Sequence, residues 1–354
     1  MTFVIEQKPD APRKIDSVSR SLKAHLLLVL MTLIWGSTFV LIKAALRDSS
    51  PLVLNAVRMS LAAVLLALWY RRQLAGMTRG SLFMGLAVGL FLYLGYAFQT
   101  SGLRLTTPSK SAFLTGISTV IVPVIMLTIW RTRVHTWRVV GIALALAGLF
   151  LMTVPAGGEG LASFREVNFG DVLSFFCAIA FAFHIVFIGR ATQRHPFEQI
   201  AVLQVSVAAV LMVFSAPFLE SPQFHPSPTV LACVLITGIL GTALAFTVQA
   251  WAQQFTPATH AALIFTLEPA FAWLTSFIYM KERLGLRAGS GALLILAGVL
   301  VSELLGQVAG PDLPQPANAA PTPQPANPAP DGEPAPNGGQ QPASPDNAQA
   351  RSRV

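Results

Sequence analysis

The stretch GIALALAG, residues 141–148, returns 150 residues later as GALLILAG, residues 291–298, with both glycines in register. Gln99 recurs as Gln249 at the same offset, and the pair Thr107-Pro108 recurs as Thr256-Pro257 one residue earlier. The run AAVL at residues 62–65 also returns, at residues 208–211. A repeat this long predicts that the chain contains two copies of one structural unit.

The composition around the repeat is typical of a membrane protein. Hydrophobic residues make up 53% of the chain and charged residues 11%, whereas a soluble domain carries about 25% charged residues. Apolar runs of spanning length predict transmembrane helices at 24–42, 51–70, 80–103, 111–130, 139–158, 172–189, 199–219 and 286–306. The run at 221–267 is too long for one crossing, and residues 253–257 are its natural break. The sequence therefore predicts an all-α polytopic membrane protein with ten transmembrane helices.

Ten helices divide into five for each copy. Because five is odd, the second copy must enter the membrane from the opposite side, which predicts two inverted five-helix repeats, at 24–154 and 169–306. Such a pair is typical of transporters, with the substrate site near the bilayer midplane between the repeats.

Basic residues indicate the orientation. The net charge is +8, and most Lys and Arg residues flank apolar segments, which favours topology signals over a nucleic-acid partner. The basic segment 1–23 and the loop near 131–138 place the N-terminus in the cytoplasm, in an inner-membrane protein with both termini cytoplasmic. In the second half the charges are less clear, since Lys281, Arg283 and Arg287 fall on the outer side of this topology.

Glu268 lies near the centre of the ninth predicted helix, where an ionised acid is costly. Pro269 follows it and has no N–H to donate to the Phe265 carbonyl, so an acid and a backbone acceptor lie together. This pair suits a proton or a substrate amine, and proton coupling at Glu268 is a further hypothesis. The alternative is a protonated Glu268 that makes a structural hydrogen bond between helices.

Other polar residues within the predicted helices are candidates for substrate binding or gating. Arg58 has either a snorkelling role or an anion-binding one. The equivalent Gln99 and Gln249 either bind a zwitterionic solute or join helices, and Pro123 of the fourth helix corresponds to Pro269 as a second helix break. The remaining candidates are polar or aromatic residues within the spans: Trp35, Ser37, Tyr96, Ser111, His184 and His260.

No metal, cofactor or catalytic site is expected. His184 and His260 have no metal-ligand spacing, Cys177 and Cys233 lie inside apolar runs, and neither a nucleotide-binding loop nor a Ser/His/Asp pattern is present. A membrane enzyme or scaffold, and a channel, remain the alternative functions.

Taken together, Trp35-Gly36-Ser37, Arg58 before an Ala/Leu-rich run, Glu268-Pro269 and Glu282 resemble the drug/metabolite transporter superfamily, specifically its ten-helix carriers with tandem EamA-type domains. The resemblance implies a carrier of small metabolites, usually an exporter of amino acids or other polar and amphipathic solutes, that works by alternating access. One departure is visible, because Arg131 and Arg133 stand where the first copy would often carry an acid matching Glu282.

The last segment, residues 307–354, is rich in proline and alanine and has no apolar run that could form a core. The sequence predicts a disordered cytoplasmic tail there.

Overall fold

The computed structural model describes residues 14–106, 108–132, 134–154, 167–280 and 285–306, and nearly all of them are helical. In chain order the helices are α1 (Lys14–Ala45), α2 (Pro51–Trp69), α3 (Arg71–Leu74), α4 (Arg79–Leu105), α5 (Pro108–Gly116), α6 (Ser118–Trp130), α7 (Thr136–Thr153), α8 (Phe169–Arg194), α9 (Phe197–Leu219), α10 (Pro228–Gly238), α11 (Ala245–Ala252), α12 (Ala258–Phe265), α13 (Glu268–Met280) and α14 (Leu286–Gly306). A π-helical segment, Ile239–Leu244, joins α10 to α11.

Seven helical stretches among these residues are long and apolar enough to cross a membrane. They are Arg20–Ala45, Pro51–Trp69, Arg79–Leu105, Phe113–Trp130, Phe169–Arg194, Phe197–Leu219 and Pro228–Ala252. Two further apolar helices, Thr136–Met152 and Leu286–Ser302, are shorter. The count of ten crossings therefore stays a prediction, although the long run at 221–267 does divide between Ala252 and Ala258.

Two details differ from the sequence prediction. The first helix begins at Lys14, well before residue 24, so part of the basic segment continues the first span. The fourth predicted span is interrupted at Ile117, and α6 runs through Pro123 without a break. Pro123 removes one backbone hydrogen bond, a loss that a membrane helix tolerates where neighbouring helices enclose it.

The repeated glycines bring α7 and α14 together in antiparallel fashion. A Cβ atom added at Gly141 would lie 2.5 Å from the Gly298 carbonyl oxygen, and one added at Gly291 would lie 2.6 Å from that of Gly148. Neither pair has room for a side chain. The contact is also reciprocal, because Gly141 and Gly148 correspond to Gly291 and Gly298 in the repeat.

Other contacts join the first half of the chain to the second. Helix α9 packs against α2 and α4, with Gly85 and Gly89 seated on Leu203 and Val207. Helix α4 also packs along α8, and α1 packs against α13. The apolar cores therefore contain side chains from both halves.

The loops 46–50 and 220–227 meet at one face of the molecule, in a contact that we call the loop clasp. The Glu220 carboxylate accepts hydrogen bonds from the Leu52 and Val53 N–H groups and from the Ser50 hydroxyl, so an acid from the second half caps α2. Ser227 donates to the Asp48 carboxylate at 2.6 Å. The clasp also contains the isolated bridge between residues 49 and 224.

Several predicted features lie outside the described residues. They are most of the segment 1–23, the loop 155–166, Arg133, Lys281, Glu282, Arg283 and the tail 307–354.

Candidate functional site

A cavity of about 870 Å³ lies between the two halves. Its mouth is at the ends of α1, α4 and α7, marked by Lys43, Leu103 and Met152. The interior reaches polar and aromatic side chains in the middle of the helices: Trp35, Arg58, Tyr96, Gln99, Ser111, Thr115, Thr119, Phe181, His184, Phe246, Gln249, Phe265 and Glu268. Its size is within the range of small-molecule sites.

Most of the residues singled out in the sequence line this cavity. They are Trp35, Arg58, Tyr96, Gln99, Ser111, His184, Gln249, Glu268 and Pro269. Ser37 and His260 do not line it. The Ser37 hydroxyl faces Thr275 of α13 at 3.1 Å, and the His260 ring packs against that of His25, with centroids 5.9 Å apart. Both positions therefore belong to helix contacts outside the cavity.

Glu268 begins α13, directly after the helix break at Thr266 and Leu267. The Thr266 and Leu267 N–H groups each donate to a carbonyl three residues earlier in the chain, at 3.1 and 3.0 Å. This spacing is tighter than that of an α-helix and is typical of a turn. Within the described part of the chain, no hydrogen bond or ion pair holds the Glu268 carboxyl. The acid therefore faces the cavity as a half-buried side chain without a partner.

Gly36 allows α1 to lie directly on this break. A Cβ atom added there would lie 2.6 Å from the Glu268 carbonyl oxygen and 2.8 Å from the Ala272 nitrogen. These are backbone atoms, which cannot swing away as a flexible side chain can. The small residue beside Trp35 thus sets the distance between α1 and the helix that carries the acid.

Trp35 connects α1 to the π-helical segment. Its indole Nε1 donates to the Gly241 carbonyl at 2.8 Å, an interaction between residues of opposite halves. A π-helical turn leaves backbone groups outside the regular α-helical pattern, and such turns are frequent at functional sites. Trp35 also packs against Phe246 and Phe265, so the ring forms part of an aromatic wall.

Arg58 also lines the cavity, held by Asn55. Its Nε donates to the Asn55 Oδ1 atom at 3.0 Å, and its guanidinium carbon lies 4.5 Å from the centroid of the Tyr96 ring. Asn55 in turn donates to the Thr100 hydroxyl at 2.9 Å. No carboxylate among the described residues forms an ion pair with Arg58, although the side chain is only 4% exposed.

His184 and Gln249, which also line the cavity, are each held by a neighbouring glutamine side chain. The His184 Nε2 atom lies 2.8 Å from Gln204 Oε1. The Gln249 Nε2 atom donates to Gln253 Oε1 at 3.0 Å, and Gln253 donates to the Ile185 carbonyl at 2.9 Å. This chain of donors fixes the Gln249 amide and leaves its Oε1 atom buried with no hydrogen-bond partner in the described part of the molecule.

The opposite end of the molecule is closed by contacts between helices. The Lys23 ammonium lies 5.5 Å from the Trp251 ring centroid, and the Arg190 guanidinium lies 3.9 Å from that of Trp130. The contact between His25 and His260 lies at the same end. We call these three pairs the closed-end contacts.

The described residues contain no group of three or more His, Cys, Asp or Glu side chains that could hold a metal ion. Cys177 and Cys233 are buried free thiols.

Sequence reasoning missed Asn55, Phe181, Phe246 and the π-helical segment. The sequence did contain an indication for Asn55, because this polar residue lies three positions before Arg58 and so shares its face of the helix. For the π-helical segment the only indication in the sequence was weak, namely the glycines Gly238 and Gly241 inside an apolar run.

Comparison with known proteins identifies the family of this chain. The model of the EamA-like transporter family matches residues 22–154 and again residues 168–304. The chain is a multi-pass membrane transporter with two EamA repeats, and it belongs to this family.

Full-length relatives match as well. An uncharacterized transporter of Archaeoglobus fulgidus is 33% identical over 80% of this chain and 87% of its own length. The uncharacterized transporter YoaV of Bacillus subtilis is 24% identical over 79% of this chain and 96% of its own. A solved crystal structure aligns with a TM-score of 0.65 and 17% identity, over 83% of this chain and 99% of that one, and this likeness concerns the fold alone.

Proposed function

We propose that the protein is a carrier that exports a small amphipathic zwitterion, such as an amino acid, by alternating access of two inverted five-helix repeats. The observation that carries the proposal is the cavity between the halves. It contains the Glu268 carboxyl and the buried Arg58 guanidinium, neither of which has an ion-pair partner in the part of the chain that the structure describes.

Three observations support the inverted arrangement with ten crossings. Helices α7 and α14 occupy equivalent places in the repeats and run antiparallel. Their glycine contact is reciprocal, as a pseudo-two-fold axis requires. The fourth span of each repeat is interrupted at matching places, since α6 begins at Ser118 and α13 at Glu268, 150 residues apart.

The charges and the walls support the substrate class. Arg58 and Glu268 offer opposite charges in one cavity, which suits a solute with both a carboxylate and an ammonium group. The cavity also has an apolar surface, which suits a hydrophobic side chain of the solute. This surface is formed by the rings of Trp35, Phe181 and Phe246.

The cavity supports a carrier over a channel. It has a mouth at one end, and the residues of the closed-end contacts are not among those that line it. A carrier needs such a site with access from one side at a time, and the closed-end contacts must part when access alternates.

The topology expected from the basic residues places the closed end at the cytoplasm and the mouth outside, in an inner-membrane protein with both termini cytoplasmic. Single cysteines at Gly158 and Thr132, in a background without Cys177 and Cys233, test this with an impermeant thiol reagent. We expect labelling from outside at position 158 only, and outside labelling at both positions would refute the topology.

Counterflow in proteoliposomes tests the carrier itself. Liposomes loaded with an unlabelled amino acid should accumulate the labelled one transiently, because a carrier exchanges solutes through one site. Flux that rises linearly with concentration and shows no counterflow would favour a channel. A complete lack of flux across a broad amino-acid panel would refute the substrate class.

A further inference from the structure

Asn55 fixes the position of the Arg58 side chain. The two residues are three positions apart on α2 and so lie on one face of the helix. The Asn55 amide nitrogen donates to the Thr100 hydroxyl at 2.9 Å and to the Tyr96 carbonyl at 3.4 Å. Since a backbone carbonyl only accepts, these bonds turn the nitrogen of the amide toward α4 and its oxygen toward Arg58.

The orientation of the amide determines which edge of the guanidinium is occupied. Arg58 Nε donates to the Asn55 oxygen, and the guanidinium carbon lies 4.5 Å from the centroid of the Tyr96 ring. An arginine has five N–H donors, and four of them are on the terminal amino groups. The guanidinium also interacts with the Tyr96 side chain, which leaves most of these four donors available. Arg58 lines the cavity, and these terminal groups form the fork that matches a carboxylate with two parallel hydrogen bonds.

We propose that Arg58 is a carboxylate subsite of the cavity and that Asn55 is its positioning residue. The inference rests on the proposed function, because it assigns the residue that binds the carboxylate end of the carried solute. Asn55 is 1% exposed and Arg58 4%, so the pair is preorganised and largely removed from water. A buried cation without an ion-pair partner is costly, and an incoming anion removes that cost.

The site suits a carboxylate better than a phosphate. One guanidinium in an aromatic wall balances a single negative charge, whereas a phosphate monoester carries close to two. The other cations of the lining, Lys43 and Arg47, lie at the mouth. Interface snorkelling also fits poorly, because the Arg58 side chain is enclosed between α2, Tyr96 and the cavity.

Four probes that share a phenyl ring test the inference on the full-length protein in nanodiscs. They are phenylalanine, 2-phenylethylamine, 3-phenylpropionate and 2-phenylethyl phosphate, and binding is measured by calorimetry. For the wild type we expect phenylalanine to bind at least tenfold more tightly than 2-phenylethylamine, a difference of about 1.4 kcal/mol. We also expect 3-phenylpropionate to bind more tightly than the phosphate ester.

Asn55→Asp is the decisive variant, because it places a carboxylate of the same size beside Arg58. We expect phenylalanine and 3-phenylpropionate to lose at least tenfold in affinity, while 2-phenylethylamine binds as before. A merely structural residue would weaken all probes together. Gln199→Glu is the matched control, since Gln199 is also buried and donates to a backbone carbonyl, that of Gln73, outside the cavity.

Arg58→Lys keeps the proposal testable if Asn55→Asp does not fold. It retains the charge and loses the fork, so the carboxylate probes should again weaken selectively. Equal wild-type affinity for phenylalanine and 2-phenylethylamine, tighter binding of the phosphate ester, no binding of either carboxylate, or equal losses for all probes would each overturn the inference. Selective binding without counterflow would instead overturn only the proposed carrier function.

Discussion

Replacing Glu268 by glutamine removes a charge from the cavity and almost nothing else. The amide has nearly the same volume, and the carboxyl has no hydrogen-bond or ion-pair partner among the described residues, so yield and melting temperature should stay close to those of the wild type. A hydrogen bond to a charged group contributes about 1.5–3 kcal/mol, whereas a neutral one contributes about 0.5–1.5 kcal/mol. The midpoints of these ranges differ by about 1.3 kcal/mol, which corresponds to a nearly tenfold weaker interaction with a substrate ammonium.

The assay is counterflow of an amino acid at two pH values. A carboxylate attracts an ammonium only when it is ionised, so the wild type should show a higher half-saturation concentration as the pH falls. Glu268→Gln should be about tenfold slower than the wild type at the higher pH, should differ less from it at the lower pH, and should itself show no such dependence on pH. Glu198→Gln is the control, because Glu198 lies in the first turn of α9 and does not line the cavity.

A wild-type rate from Glu268→Gln at both pH values would refute the role of Glu268 in transport. The structural alternative has its own signature. In that case Glu268→Gln is nearly silent, and Glu268→Leu lowers yield or thermal stability by removing a hydrogen bond worth about 0.6 kcal/mol in a membrane protein.

Four further outcomes are expected. Gly36→Ala should lower both flux and melting temperature, at a cost of about 1–3 kcal/mol, because the added methyl meets the α13 backbone at 2.6 Å. Glu220→Ala should cost about 1 kcal/mol in thermal unfolding by removing the cap of α2, and it should leave the half-saturation concentration unchanged. Gln99→Ala and Gln249→Ala should chiefly raise the half-saturation concentration in the counterflow assay. Deletion of residues 312–354 should leave insertion and flux largely intact, and loss of flux in a normally inserted truncation would assign the tail a role.

The sequence was sufficient for features that depend on length, polarity and repetition. Apolar runs predict the helix Leu286–Gly306 and the division between Ala252 and Ala258, because a helix must be long enough to cross and ends where polar residues and proline gather. The cost of an acid in a membrane pointed to Glu268.

The sequence could not predict features that depend on residues distant in the chain. Asn55 became meaningful only once α2 and α4 were packed, because its amide orientation is set by Thr100 and Tyr96. No proline marks the helix break at Ile117, whereas Pro123, which the sequence predicts as a break, lies inside a continuous helix. Nor does any local pattern pair the Trp35 indole with the Gly241 carbonyl of the other half.

The distribution of contacts also suggests how access alternates in the proposed carrier. The loop clasp ties α2 to the start of α10 at one face, so closure of the mouth must come from other helices. The breaks at Ile117 and at Thr266 lie beside the cavity. In the proposed carrier, the helix halves beyond these breaks would tilt to close the mouth. At the opposite end, each cation–π contact is worth about 0.5–2 kcal/mol. The closed-end contacts therefore amount to a few kcal/mol, which differential binding of one substrate to the two states is large enough to offset.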